Sequence, residues 1–243
     1  MFFIFDLETV PDLGFIRSVL KDQESDEDLL LEKASEELAR NKAGFLPPMY
    51  HQVVSWVGLW IENTGQPRQK VSWHGEDEKE GLIQIFDAIG TYKDFGLIHH
   101  NGKGFDIPVL VYRAMKHGLQ MPVRMNDYDI RYRYSRHNVD LVDEFSNYGA
   151  SSWPKLKHLG QLIGIPFKQT GEGNQVLIMY RAGDLDLIEH YCYEDVMATY
   201  IVWLYHQFTV GSIPQDQFNN LKDRAMGKLK EIQEVPENLQ SDQ

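Results

Sequence analysis

Tyr191-Cys192-Tyr193-Glu194-Asp195 lies inside the segment RAGDLDLIEHYCYEDVMATYIVWLYHQF, residues 181–208, which reads as one long helix. At the helical period Asp195 falls in line with Ile188, Cys192 and Thr199, one turn apart along a single side. That side is mostly apolar and should face the core. An ionised carboxylate there is costly unless a cation or strong donors meet it. Tyr191, four residues earlier, shares the face. An ordinary reading is an Asp on a partly buried helix, paired with an arginine or a backbone donor. That reading leaves the tyrosine unexplained, so the rest of the chain has to say what the inward acid meets.

The 243 residues suffice for a substantial core, and 42% hydrophobic with 25% charged residues is globular composition, which excludes global disorder. One cysteine, Cys192, excludes an intramolecular disulfide and a cysteine-based zinc site. The start, Met-Phe-Phe-Ile-Phe-Asp6, reaches an acid too soon for a secretory signal, and Val53–Ile61 is far too short to span a membrane. A soluble, cytoplasmic protein with no membrane partner is expected. The net charge of −12 is the wrong sign for tight, non-specific nucleic-acid binding, where lysines and arginines supply most of the affinity. It leaves room for an enzyme that grips one strand end weakly and relies on metal.

Along the chain, Phe2–Phe5 reads as a buried strand opening at a site, residues 23–42 as an exposed amphipathic helix, and Leu46–Tyr50 as a breaker. Val53–Ile61 and Lys70–Trp73 read as strands joined by a turn over Glu62–Pro67. Helices follow over Glu78–Ile89, Ile107–Lys116, 155–163, 183–208 and Pro214–Ile232, with a short strand at Gly96–His99. Strands interleaved with helices indicate an α/β or α+β layer arrangement. Nothing in composition marks a boundary, so a single domain over residues 1–235 with a polar tail at 236–243 is expected.

Three acidic clusters stand out. In Phe5-Asp6-Leu7-Glu8-Thr9, a strand would project Asp6 and Glu8 to the same face, and paired hard oxygens suit magnesium or manganese. A strand end running into solvent would tolerate the same two acids. In His99-His100-Asn101-Gly102-Lys103-Gly104-Phe105-Asp106, the glycines turn the chain and Asp106 opens a helix, where an N-cap role alone would account for it. Adjacent strand histidines point to opposite faces, which argues against a zinc pair. The third cluster is Tyr191 with Asp195. Together they form a pattern, because four converging carboxylates would repel one another unless metal sits among them. Two ions about 3.5–4 Å apart would clamp the attacking and leaving oxygens of a phosphodiester, and the tyrosine hydroxyl would hold the attacking water.

In this order and with the Tyr-x-x-x-Asp spacing kept, FDLET, NGKGFD and YCYED resemble the three motifs of the DEDD 3′–5′ exonucleases, tyrosine subclass. In particular the chain resembles the free-standing predicted polymerase-B-like 3′–5′ exonucleases. Tyr134–Asp143, Gly173–Val176 and Thr199-Tyr200 echo that family, and the resemblance spans roughly residues 1–208. It implies an α/β, ribonuclease-H-like mixed β-sheet flanked by α-helices. Carried over by position, it implies that Asp6, Glu8 and Asp195 bind one Mg2+ or Mn2+ ion and that Asp6 and Asp106 bind a second. Tyr191 would orient the water, Thr9 would meet the terminal 3′-hydroxyl through its backbone, and Asn101 and Phe105 would lie near the terminal nucleotides. Phe105 would be free to stack on a base. The expected activity is hydrolysis at the 3′ end of single-stranded nucleic acid, DNA favoured over RNA, releasing nucleoside 5′-monophosphates. No polymerase domain is expected in cis.

Other features admit two readings. Arg131-Tyr-Arg-Tyr-Ser-Arg136 interleaves cations with aromatics, as a single-strand contact or as a solvent-edge loop. Lys155, Lys157 and Lys168 could touch phosphate but are more simply solvated, and Asp140 with Asp143 suggests a helix start. Gly160, Gly164 and Pro166 punctuate a helix end, and Gly171-Glu-Gly173 is a turn. Two rival functions stay open: a catalytically silent nucleic-acid-binding module on the same fold, and a metal phosphohydrolase of small nucleotides.

Overall fold

Phe2–Pro11 forms the central strand, β1, and its alternation sorts the molecule into two layers. A computed structural model of the chain describes residues 1–39, 44–165 and 175–234. After β1 come α1 (Leu13–Leu20), α2 (Glu27–Leu38), a 3₁₀ turn at Pro48–Tyr50, β2 (His51–Ile61), β3 (Pro67–His74), α3 (Glu78–Gly90) and β4 (Gly96–His99). Then follow α4 (Asp106–His117), a second 3₁₀ turn at Val123–Asn126, α5 (Tyr128–Arg131), β5 (Asn138–Asp140), α6 (Leu141–Ser146) and α7 (Leu156–Leu162). The chain closes with α8 (Gln175–Ala182), α9 (Leu185–Thr209) and α10 (Gln215–Gln233). The strands form one five-stranded sheet in the order β3-β2-β1-β4-β5. β1 runs antiparallel to β2 and parallel to β4, and β5 is parallel to β4. This mixed sheet flanked by helices is the ribonuclease-H-like α/β arrangement. No described helix is long and apolar enough to cross a membrane.

On one face Phe3, Phe5 and Leu7 pack with Trp56 and Trp60 under α3 and α4. On the other Ile4 packs with Val57 and Leu59 against α9 and α10. The second half of α9, Val196 to Leu204, is buried residue after residue, because strands lie beneath it and α10 lies along it. Tyr200 and Trp203 are core there, and the Tyr200 hydroxyl donates to the Gly65 carbonyl at 2.8 Å.

Two elements differ from the sequence reading. β1 does not end at Phe5: β2 pairs with it as far as Pro11, with a register shift between Glu8 and Thr9. The two acids therefore sit inside a paired strand and not at a frayed end. The helix expected over residues 23–42 is shorter, capped at Asp26 and running Glu27–Leu38, and residues 40–43 lie outside the described residues. So do Pro166, Lys168, Gly171–Gly173 and the tail at 236–243.

A buried arginine holds α4 in place. Arg113 donates to Asp12 at 2.6 Å and forks onto Glu78, which also accepts the Val53 N–H at 2.7 Å. The start of α1, β2, α3 and α4 are thus joined at one point. Burial raises the Asp12 pKa, but the hydrogen bonds from Lys116 and Arg113 outweigh it and leave the carboxyl below its usual range.

Gly58, opposite Phe5 in the β1–β2 ladder, leaves room for the Phe3 ring, and an added Cβ would run into that ring. Gly58→Ala should cost about 1–3 kcal/mol of stability by overpacking. In urea the midpoint should fall with an unchanged slope; an unchanged midpoint would show that the ring moves aside freely.

Candidate active site

The residues of interest lie where β1, the loop after β4, and α9 meet. Asp6 and Glu8 share the face of Ile4, toward α9. The Cys192 thiol on α9 donates to the Asp6 carbonyl at 3.3 Å, and its sulfur stands 3.9 Å from Asp6 Oδ2. One ligating atom each from Asp6, Glu8 and Cys192 lie within 4.8 Å of one another. Asp195 is the next residue on the same stripe of α9.

Asp106 reaches this point from the other side of β1. β4 pairs with β1 only over Phe2–Ile4, so beyond that the edge of β1 has amides to satisfy. Asp106 Oδ1 accepts one of them, the Leu7 N–H, at 3.2 Å. The expected N-cap role is therefore corrected: Phe105 occupies the cap position, Asp106 is the first helical residue, and its carboxylate faces β1.

The loop delivering Asp106 is clamped by Asp140, whose carboxylate accepts the N–H groups of Asn101 (2.8 Å), Lys103 (3.0 Å) and Val142 (3.0 Å). Asp140 also caps α6, as the sequence suggested. Asn101 takes φ +66°, a left-handed turn that asparagine tolerates. His99 contacts Asn138 at 2.7 Å while His100 turns away to the Pro154 carbonyl at 3.0 Å, so the two histidines do not chelate together.

Electrostatics separates these aspartates. Burial raises Asp140, but His99 and the backbone N–H donors outweigh it and hold the carboxyl well below its usual range. Asp6 goes the other way: burial, then the charges of Asp106, Glu8 and Asp195, push it well up. Glu8 is raised by burial and by Asp195 and Asp106. Burial, with Glu194 adding to it, lifts Asp195 to about 7. Burial lifts Asp106 to about 6 against the opposing pull of His99 and backbone N–H groups. Among the described residues, none of the four acids is paired with a lysine or arginine.

Two of the four acids, Glu8 and Asp195, border a cleft of about 910 Å³ whose lining also includes Thr9, Phe105, Lys157 and Tyr191. Tyr191 is half-buried there, while Tyr193 lies elsewhere, with Lys70 Nζ 4.7 Å from its ring centroid. The Thr9 hydroxyl donates to His51 Nδ1 at 3.0 Å, and His51 Nε2 donates to the Leu46 carbonyl at 3.2 Å. Burial lowers the His51 pKa to about 4, which keeps that imidazole neutral near pH 7 and fits this tautomer. The Phe105 ring packs against both Phe45 and His51, at 5.4 and 5.0 Å between centroids, and those two rings also meet at 5.4 Å. Asn101 does not line this cleft; it borders a second cavity beyond the loop.

Sequence reasoning passed over two residues near the acids. Cys192 read as a core residue, although its position one turn before Asp195 was the signal. Glu194 was passed over although it belongs to the motif itself. It is buried, lines the cleft and lies 3.5 Å from His190 Nε2, and its Oε1 has no hydrogen-bond partner among the described residues. The i, i+4 spacing of His190 and Glu194 was the available clue.

Residues 43–241 match the model of a protein family described as predicted 3′–5′ exonucleases related to the exonuclease domain of PolB. The chain belongs to this family. The match begins after β1, so Asp6 and Glu8 precede the matched residues and join the site through strand pairing and the contacts of β1 with Cys192 and Asp106. No curated protein matches the chain. Exonucleases related to that of PolB generally use divalent metals. The donor set here suits such ions: clustered carboxylate oxygens without a positive side chain among them are hard ligands.

Asp106 and Asp195 bind their protons more tightly folded than unfolded, where a carboxyl titrates near ~4. Their contribution to stability is therefore full below about pH 4 and is lost as pH rises through about 6 and about 7. Asp12 and Asp140, with lowered values, act on the acid side of this window, whereas His51, lowered to about 4 by burial, gains stability as pH rises to about 6.5 and opposes the fall. In EDTA the melting temperature of wild type relative to Asp195→Asn should therefore fall by several degrees from about pH 5 to about pH 8, a difference from which His51 cancels. A difference that stays flat or rises across the window would contradict the acid cluster.

Proposed function

We propose that the protein is a divalent-metal-dependent 3′–5′ exonuclease acting on single-stranded nucleic acid, DNA ahead of RNA, and releasing nucleoside 5′-monophosphates. The observation that carries this reading is the convergence of Asp6, Glu8, Asp106 and Asp195 from three separate elements, with no lysine or arginine paired to them among the described residues, where Glu8 and Asp195 border the cleft that Tyr191 also lines. Membership of a predicted exonuclease family supports the reaction class.

In this reading Asp6, Glu8 and Asp195 hold one Mg2+ or Mn2+ ion, and Asp6 with Asp106 holds a second. Such ions, when bound, supply Lewis-acid stabilisation of the scissile phosphate and a more acidic water. The chain's own groups position the reactants. Burial and the neighbouring Glu194 raise the Tyr191 pKa, so its phenol stays protonated at neutral pH and serves as a hydrogen-bonding group that orients water. The Thr9 hydroxyl is engaged with His51, so in this reading the backbone of Thr9, and not its hydroxyl, meets the terminal 3′-hydroxyl. Phe105, held against Phe45 and His51, offers its ring to the terminal base.

A 5′-labelled single strand should shorten stepwise from its 3′ end with Mg2+ or Mn2+ and stay intact in EDTA. Asp6→Ala and Asp195→Asn should each lower turnover by about 10²-fold or more, as expected on removing one charge-stabilising group from a preorganised site. Unchanged turnover in either variant would sink the assignment. Tyr191→Phe should slow turnover by roughly 10–10²-fold while calorimetric Mn2+ affinity stays near wild type, because the phenol positions water and not metal. Lost metal affinity in that variant would place Tyr191 in a different role.

A further inference from the structure

A second cavity, of about 790 Å³, lies against the loop that delivers Asp106. Lys103 and Gly104 line it, and the next residue, Phe105, lines the acid cleft. Likewise Trp153 borders this cavity while Leu156 and Lys157 border the cleft. The two depressions thus flank the same two segments of chain. Ile107, Val111 and Met121 contribute apolar lining to the second, with Arg131, Arg133 and Trp153 also bordering it.

Beside it runs a ridge of aromatic rings. Tyr128 and Tyr132 stack at 5.1 Å with planes 16° apart, Tyr134 meets Tyr132 edge-on at 5.6 Å, and Tyr148 meets Tyr134 at 4.6 Å. Tyr128, Tyr132 and Tyr134 are exposed, and Arg131 to Tyr134 form an unbroken exposed run. Trp153 is 64% exposed, whereas Trp56, Trp60 and Trp203 are buried. Such a concentration of exposed rings marks a binding surface more often than an accident of packing.

Cations are concentrated on this ridge, and the acids beside them, Asp127 and Asp129, face Arg124. Arg131, Arg133 and Arg136 fall within six residues of a protein whose net charge is −12. Arg131 donates to the neutral side chain of Asn126 at 2.7 Å, and Arg136 has no carboxylate partner among the described residues. The two acids on the cavity are already engaged: Asp143 with Lys103 and Arg133, and Asp140 with the loop amides. Lys103 Nζ also donates to the Arg133 carbonyl at 2.8 Å, which ties the ridge to the Asp106 loop. Stacking platforms combined with cations suit a strand whose base faces are open, and a duplex hides those faces.

We propose that this groove and the tyrosine–arginine ridge bind the body of a single-stranded nucleic acid, upstream of the 3′ end held at the acids. The proposal rests on the exonuclease reading of the acid cleft, and its test separates the two. Binding of fluorescein-labelled oligodeoxythymidylates of about 4 and about 12 nucleotides is measured in EDTA by anisotropy, with tryptophan emission followed in parallel. The longer strand should bind at least about tenfold tighter than the shorter, and tighter than a duplex of equal length, with falling affinity as salt rises. Arg131→Ala with Arg133→Ala, and separately Trp153→Ala, should abolish the length dependence, and Trp153→Ala should abolish the emission quench. Hydrolysis of the p-nitrophenyl ester of thymidine 5′-monophosphate with Mn2+ reports the acids alone and should be unchanged in these variants, and thermal melting checks that they fold.

Wild-type affinity independent of length, variants that keep the length dependence, or displacement of the strand by an equal charge of polyglutamate would each overturn the proposal. If oligonucleotide and ester are hydrolysed but length has no effect, the surface fails and the exonuclease reading stands. If neither is hydrolysed while length-dependent, Arg131-dependent binding persists, the exonuclease reading fails and the surface stands.

Discussion

The carboxylates of Glu8, Asp106 and Asp195 are held around that of Asp6 against their mutual repulsion, and much of the structure serves that constraint. Burial and neighbouring negative charge push Asp6 and Glu8 well above the usual carboxylate range, so the cluster is unfavourable as a set of bare anions. Rigid neighbours keep it assembled. β1 is pinned between β2 and β4, α9 lies across its face, and α4 is anchored from below by Arg113. Asp140 clamps the turn that carries Asp106 to the open edge of β1.

Asp140 and Asp106 show how environment sets the fate of one residue type. Both are buried and belong to the same region of the fold. Asp140 faces several N–H donors and a histidine, which stabilise its anion. Asp106 has fewer donors and is pushed up to about 6. The first carboxylate is structural because its charge is satisfied within the chain. The second carries a charge that no lysine or arginine among the described residues neutralises, and in the proposed reading that is the charge a metal ion would meet.

Much of this was legible in the residues. The inward turn of Asp195, the separation of Tyr191 from Tyr193, and the same-face pairing of Asp6 with Glu8 all follow from helical and strand periodicity. The capping role of Asp140 was readable from its place before Leu141-Val142. The extent of β1 was not, because a short apolar run ending in acids looks frayed until a partner strand pairs along it. Asp106 read as a cap for a related reason: local sequence shows the helix start beside it but not the free Leu7 amide 99 residues away. Cys192 and Glu194 were missed because their local signals, a place one turn before Asp195 and an i, i+4 histidine, are shared with ordinary core and surface positions of a helix.

By itself the sequence determined the alternation of strands and helices, the identity of the acids and the tyrosine, and the face each would occupy on its own element. Periodicity is a local property and survives without knowledge of the fold. Only the tertiary structure decided that the Asp106 carboxylate turns to β1, that Asp140 holds its loop, and that Thr9 is tied to His51. It likewise decided that Asn101 borders the second cavity and that the Arg131–Tyr134 run stands exposed next to it. These depend on contacts between distant segments, and in this fold the edge left free where β4 stops pairing with β1 decides where those segments meet.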